Sequence, residues 1–190
     1  MFNLFNISSF LIQIAFNIII YVLWIRIILR FLKVSLANPI NSNINDITNY
    51  IFHPIEKLIF GKPLPIQQYD WVAIIGLIVI EIIKLIILSL LLLKILLPLT
   101  ALLIFLLADL IIRFCDILFY FILLHLIISW VAPNWQHPVN DLIKVITTPL
   151  LRLGHKIVPN ISGFDFAPFI IMIILKIITL AINSMLPLHL

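Results

Sequence analysis

Two aspartates, Asp70 and Asp165, each stand at the head of a long apolar run. A pair of carboxylates sharing one proton at close range is the apparatus of an intramembrane aspartic protease. An aspartate at the start of a helix also has a simpler use, in which it accepts from free backbone N–H groups and faces the positive end of the helix dipole. Capping is therefore the expected role of both. Charges inside the apolar runs are more demanding, because each costs on the order of 3 kcal/mol in hydrocarbon unless it is paired or hydrated. Glu81 and Lys176 fall at matching distances beyond Asp70 and Asp165 and carry opposite charges, so they are expected to form a clasp, with Lys84 one turn from Glu81 as competitor or third member. A proton or ion relay is the alternative use of the same cluster. Asp109, Arg113 and Asp116 recur at i, i+4 and i+7 and share one helix face, which is a hydrated face at the membrane surface or a polar pathway if embedded.

His53, His137 and His155 are scattered without a close pair at metal-ligand spacing, so a zinc site is not expected. His125 corresponds to Arg26, and both are expected near the interface as snorkelling or hydrogen-bonded groups. The chain has no serine elbow, phosphate-binding loop or dinucleotide fingerprint. An enzyme is not the expectation, and no cofactor is implied.

The elements that must hold these residues are set by composition. The chain is 64% hydrophobic and 11% charged, with a mean hydropathy of +1.26. A soluble domain needs roughly a quarter of its residues charged. Apolar runs exceed the roughly 20 residues that cross a bilayer as helix. With 4 glycines and no alternating segments, an all-α integral membrane protein is expected rather than a β-barrel. The first run has no basic residue before it and no small-residue cleavage site after it, which argues for a retained helix rather than a signal peptide. The single cysteine, Cys115, lies in an apolar run as an inert thiol.

Four spans are expected: about 10–33, about 71–97 ending at or kinked by Pro98, a long one over 99–131, and about 166–185. The third is too long for one straight crossing, so it tilts, protrudes or contains a re-entrant piece or an extra crossing. Arg26, Arg30, Lys33, Lys57, Lys62, Lys144, Arg152 and Lys156 lie at or in the two long connections and make up eight of the twelve basic residues. That places both connections in the cytoplasm and both termini outside, and it assigns the net charge of +4 to orientation and anionic headgroups rather than to nucleic acid. Trp71, Trp130, Trp135 and Tyr69 flank the spans as an aromatic belt.

The connections repeat each other. "NPINSNINDITNYIFHPIEKL" and "HPVNDLIKVITTPLLRL" match Pro39 with Pro138, Asn41 with Asn140, Asp46 with Asp141, Pro54 with Pro149 and Lys57 with Arg152, if the first copy carries four extra residues around Ser42. Asp70 then falls on Asp165. A duplicated unit of span, connection and span follows, over 1–98 and 99–190, with the copies parallel about an axis along the membrane normal. Ile44, Ile47, Ile51, Ile55 and Leu58, and likewise Val139, Ile143, Ile146, Leu150, Leu153 and Ile157, have helical spacing. Each connection (39–65 and 138–160) is thus an amphipathic helix, broken in two by Pro54 or Pro149, whose stripe meets either lipid or the protein's own spans.

These motifs, together with "VPNISGFDFAPFI" and its Gly163 and Asp165, resemble the YggT family of bacterial inner-membrane proteins over essentially the whole chain. The first copy departs from the pattern where "GKPLPIQQYDW" replaces the proline, glycine and Asp-Phe arrangement. The resemblance implies a multi-pass inner-membrane protein without enzymatic activity, linked to osmotic and ion stress, cell division, envelope organisation or membrane-complex assembly. Its partners would be lipids and other inner-membrane or division proteins. A small ion transporter or channel subunit is the alternative. Self-association is compatible with a small bundle, although no G-x-x-x-G face is present.

Overall fold

The computed structural model describes residues 4–34, 38–60, 70–158 and 165–186. Lys62, Tyr69 and Gly163 lie outside the described residues, as do the far ends of both connections. Among those described, the chain is all helix: α1 (Leu4–Phe31), α2 (Pro39–Phe60), α3 (Trp71–Leu88, continued by a π-helical turn over Ser89–Leu93), α4 (Leu99–Val131), α5 (Pro138–Ile157) and α6 (Ala167–Met185). Three helical segments are long and apolar enough to cross a membrane: Ile7–Phe31, Trp71–Leu93 and Ala167–Met185. α4 is a single unbroken helix of 33 residues, about 50 Å long, so no second crossing interrupts it.

The two units are built alike. α1 packs on α3 and α4 packs on α6, and each connection helix crosses the end of its own hairpin. The connections meet each other too, since the Asn38 side-chain amide donates to the Pro138 carbonyl at 3.2 Å. Both therefore lie at one end of the bundle. α4 is the hub, in contact with α1, α3, α5 and α6. The main core joins Leu29 of α1, Leu118 and Ile122 of α4, Ile146 of α5 and Ile171 and Leu175 of α6. A second cluster joins Ile20 and Leu23 to Val72 and Leu77. Against lipid such burial gains close packing rather than release from water.

Helix ends follow local chemistry. Pro39 and Pro138 open α2 and α5, where a missing N–H costs nothing. His137 caps α5, its Nδ1 accepting from Val139 N at 3.2 Å. Asn41 and Asn140 act equivalently: each side-chain amide donates to a carbonyl just beyond the preceding helix, Val34 O at 2.8 Å and Trp135 O at 2.7 Å. The span beginning at Trp71 stops four residues before Pro98, at a left-handed Lys94 (φ 58°), and not at the proline. α1 ends likewise at Lys33 (φ 54°), with Val34 N donating to Leu29 O and Lys33 N to Arg30 O, a Schellman closure made without glycine. Lys33→Gly removes the left-handed penalty and is expected to stabilise the protein by about 1 kcal/mol, read as a higher unfolding midpoint in detergent.

The connection helices are not broken at their prolines. α2 runs through Pro54, and α5 runs through Pro149. In α5 the hydroxyls of Thr147 and Thr148 donate to the carbonyls of Ile143 and Lys144, at 2.8 and 2.5 Å, so neither replaces the bond to Val145 O that Pro149 cannot make, and the helix continues with Ile146 and Leu151 buried on either side of the proline. The buried stripe of α5, with Leu142, Ile143, Ile146 and Leu151, faces the protein's own spans, while Val145, Leu153 and Ile157 remain exposed. Gly154 sets how closely α5 approaches α6: a Cβ there would stand 2.9 Å from Ala167 Cβ and 3.0 Å from Ile171 Cγ1. Gly154→Ala is expected to cost roughly 1–3 kcal/mol in the same unfolding assay, with partial recovery when Ala167→Gly is added.

Candidate functional site

α3 places Glu81 and Lys84 one turn apart on its buried face, and α4 places Asp109, Arg113 and Asp116 on one side. Packing α3 on α4 brings these together. Lys84 Nζ binds both Glu81 Oε1 and Asp109 Oδ2, with the Glu81 and Lys84 side chains 0% and 2% exposed. Arg113 Nη2 lies 3.6 Å from Asp109 Oδ1, and its guanidinium lies 6.0 Å from the Tyr21 ring centroid of α1. Two acids and two bases thus form a continuous network across α3 and α4 with α1 as its third wall. Glu81 Oε2 and Arg113 Nε, both buried, have no hydrogen-bond partner among the described residues.

Lys176 is not part of this network. Its ammonium binds Asp116 Oδ1 at 2.8 Å and sits 4.6 Å from the centroid of the Phe119 ring. The expected Glu81–Lys176 clasp is therefore replaced by two separate ties. The two residues do occupy matching places on α3 and α6, but α4 separates them: its Asp109 binds Lys84 beside Glu81, and its Asp116 binds Lys176. The Asp109, Arg113 and Asp116 face is turned inward against neighbouring helices, with side chains only about a fifth exposed, and is not a hydrated surface.

A second cluster went unseen in the sequence. Arg26, 2% exposed, donates through Nε to Asp70 Oδ2 at 2.7 Å and through Nη1 to Thr48 Oγ1 at 2.5 Å and Asn49 Oδ1 at 2.8 Å. Arg30 Nη1 reaches the same Asp70 oxygen at 2.6 Å. Asp70 also caps α3, its Oδ1 accepting from Ala73 N at 3.1 Å. Of the two roles expected for Arg26, the hydrogen-bonded one holds and the snorkelling one does not: it is a buried ion-pair partner. The legible signal was Arg26 and Arg30 at i, i+4 near the end of one span, with an aspartate heading the next. In the second repeat the matching place holds a neutral contact, His125 Nδ1 with Thr147 Oγ1 at 3.2 Å. Asp165 meets His155 Nε2 at 3.0 Å, half-exposed, and accepts from Ala167 N.

These contacts correct the register between the copies. Arg26 to Thr48 and His125 to Thr147 both span 22 residues, so Thr48 is the counterpart of Thr147. The four extra residues of the first copy come after Thr48 and not around Ser42, and Asp46 is not the partner of Asp141 in position. Asp46 accepts from Ser42 Oγ at 3.4 Å on an exposed surface, while Asp141 and Arg152 are exposed on α5.

The family model described as CCB3/YggT matches the chain twice, over residues 5–91 and 98–186. An uncharacterized protein of Pseudomonas aeruginosa, PA0392, is 28% identical over 183 residues, covering 94% of this chain and 89% of its own. The uncharacterized protein YggT of Escherichia coli K12 is 29% identical over 70 residues, 37% of each chain. No solved structure matches. A duplicated hairpin of apolar helices, matched copy by copy at the boundary the fold shows, places the chain in the CCB3/YggT family.

Proposed function

We propose that this chain is a non-enzymatic, four-span inner-membrane protein that supports the assembly or organisation of membrane complexes, with α4 as the fourth span and α2 and α5 as a cytoplasmic platform. One observation carries the reading: charges of the spans are tied to one another, Glu81, Lys84, Asp109 and Arg113 in one network and Lys176 with Asp116 in another. Charges closed in this way fasten helices together and leave α2 and α5 as the polar face available to partners. Roles in division, envelope organisation and osmotic or ion stress are downstream of such a platform.

The test has two arms. Membranes depleted of the chain are expected to lose a multi-subunit complex on native gels and to recover it with the wild-type protein but not with a chain lacking the exposed charges of α5. Purified protein in vesicles is expected to pass no potassium or proton current above that of empty vesicles. A current that falls on Glu81→Gln would replace this reading with an ion path through the α3–α4 network.

A further inference from the structure

A cavity of about 460 Å³ lies between the two repeats, and neither the Glu81–Lys84–Asp109–Arg113 network nor the Lys176–Asp116 pair lines it. Its walls come from the last turns of α1 (Trp24, Ile28), from α4 (Phe114, Leu118) and from α5 (Ile146, Pro149), with Asp70 and Ile74 of α3 completing the lining. The volume lies within the roughly 300–1,000 Å³ of small-molecule sites. The lining is apolar apart from one charged residue, Asp70, which is held by Arg26 and Arg30. Phe31 and Leu153 also line the cavity and are 54% and 52% exposed, so it opens outward between the end of α1 and the C-terminal part of α5.

The mouth and the chamber differ in chemistry. Arg30 precedes Phe31 and Arg152 precedes Leu153, so a guanidinium-bearing residue adjoins each apolar lip in sequence, and Lys33, Lys144 and Lys156 are exposed at the same end of the bundle. Pro149 presents a ring to the chamber at a point where the helix has no N–H to offer. The indole N–H of Trp24, in the same wall, is buried without an acceptor among the described residues. A long apolar chamber with cations at its lip is complementary to a molecule with a hydrocarbon tail and an anionic head.

We propose that the inter-repeat cavity binds one acyl chain of an anionic glycerophospholipid from the leaflet beside α2 and α5, with the phosphate at the lip between Arg30 and Arg152. The lipid fills the space that the first repeat leaves against α5, and it joins the two repeats where direct protein contact is thin. This goes beyond the platform role and does not depend on it.

Trp24 reports on the chamber. In a Trp71→Phe, Trp130→Phe, Trp135→Phe background only Trp24 fluoresces, and phospholipids brominated on the acyl chain quench it on contact. In phosphatidylcholine vesicles, brominated phosphatidylglycerol is expected to associate about fivefold more strongly than brominated phosphatidylcholine, the factor one basic residue supplies beside an anionic headgroup. Arg30→Gln or, at the exposed side of the lip, Arg152→Gln reduces that preference toward unity. Leu118→Phe narrows the chamber and lowers quenching by both lipids. Helical circular dichroism and a monodisperse elution profile establish that each variant is folded. Equal quenching by the two lipids in the parent, or a preference unmoved by both arginine variants, overturns the anionic lipid; quenching unmoved by Leu118→Phe overturns the chamber as its site.

Discussion

Lys84→Met is expected to destabilise the protein by about 3–5 kcal/mol, because it strands two carboxylates in the interior with Arg113 as their remaining cation. The measurement is the unfolding midpoint on titration from mild detergent into dodecyl sulfate, followed by circular dichroism. A double variant, Glu81→Leu with Lys84→Leu, removes one charge of each sign and leaves the Asp109–Arg113 pair neutral overall. It is expected to recover most of the loss, since replacing a whole buried pair by apolar side chains of similar volume is often neutral or stabilising. A double variant as damaged as the sum of its single changes would show that Lys84 is not what neutralises Glu81.

The second large effect is at Asp70. Asp70→Ala removes the counter-charge of buried Arg26 and the cap on Ala73 N together. The ion-pair loss alone is about 3–5 kcal/mol, and the cap adds about 1 kcal/mol. Asp70→Asn keeps an oxygen for the cap and isolates the charge. The duplicate position behaves differently: Asp165→Asn removes only the charge from a half-exposed contact with His155, a loss of about 1 kcal/mol or less. Equal losses for Asp70→Asn and Asp165→Asn would refute the assignment of a buried ionic latch to the first repeat alone.

The duplication and the helical class were legible because identity at prolines, asparagines and aspartates survives in sequence and because lipid admits few backbone solutions. Capping by Asp70 was legible for the same local reason. What escaped was which helix stands between which. Glu81 and Lys176 are equivalent by repeat, but equivalence under a twofold says nothing of distance from the axis, and α4 gives each lysine its own aspartate, Asp109 for Lys84 and Asp116 for Lys176. Helix continuity through Pro149 was hidden because a proline inside a helical pattern reads as a break, while the burial of Ile146 and Leu151 on either side of it shows only in the fold. The position of the four-residue insertion was hidden because Asp46 and Asp141 align by type, while the residue that does the same work, Thr48 or Thr147, matters only through its bond to the preceding span.

The two copies now evolve under different rules. In the second, His125 and Thr147 exchange a neutral hydrogen bond, so either can drift singly without leaving an ion adrift in the interior. In the first, Asp70 is the counter-charge of buried Arg26 and also pairs with Arg30, so losing Asp70 strands Arg26, whereas losing Arg26 leaves Asp70 paired with Arg30. Descendants of this gene should therefore keep Asp70 wherever Arg26 is kept, while position 125 can change without stranding a charge.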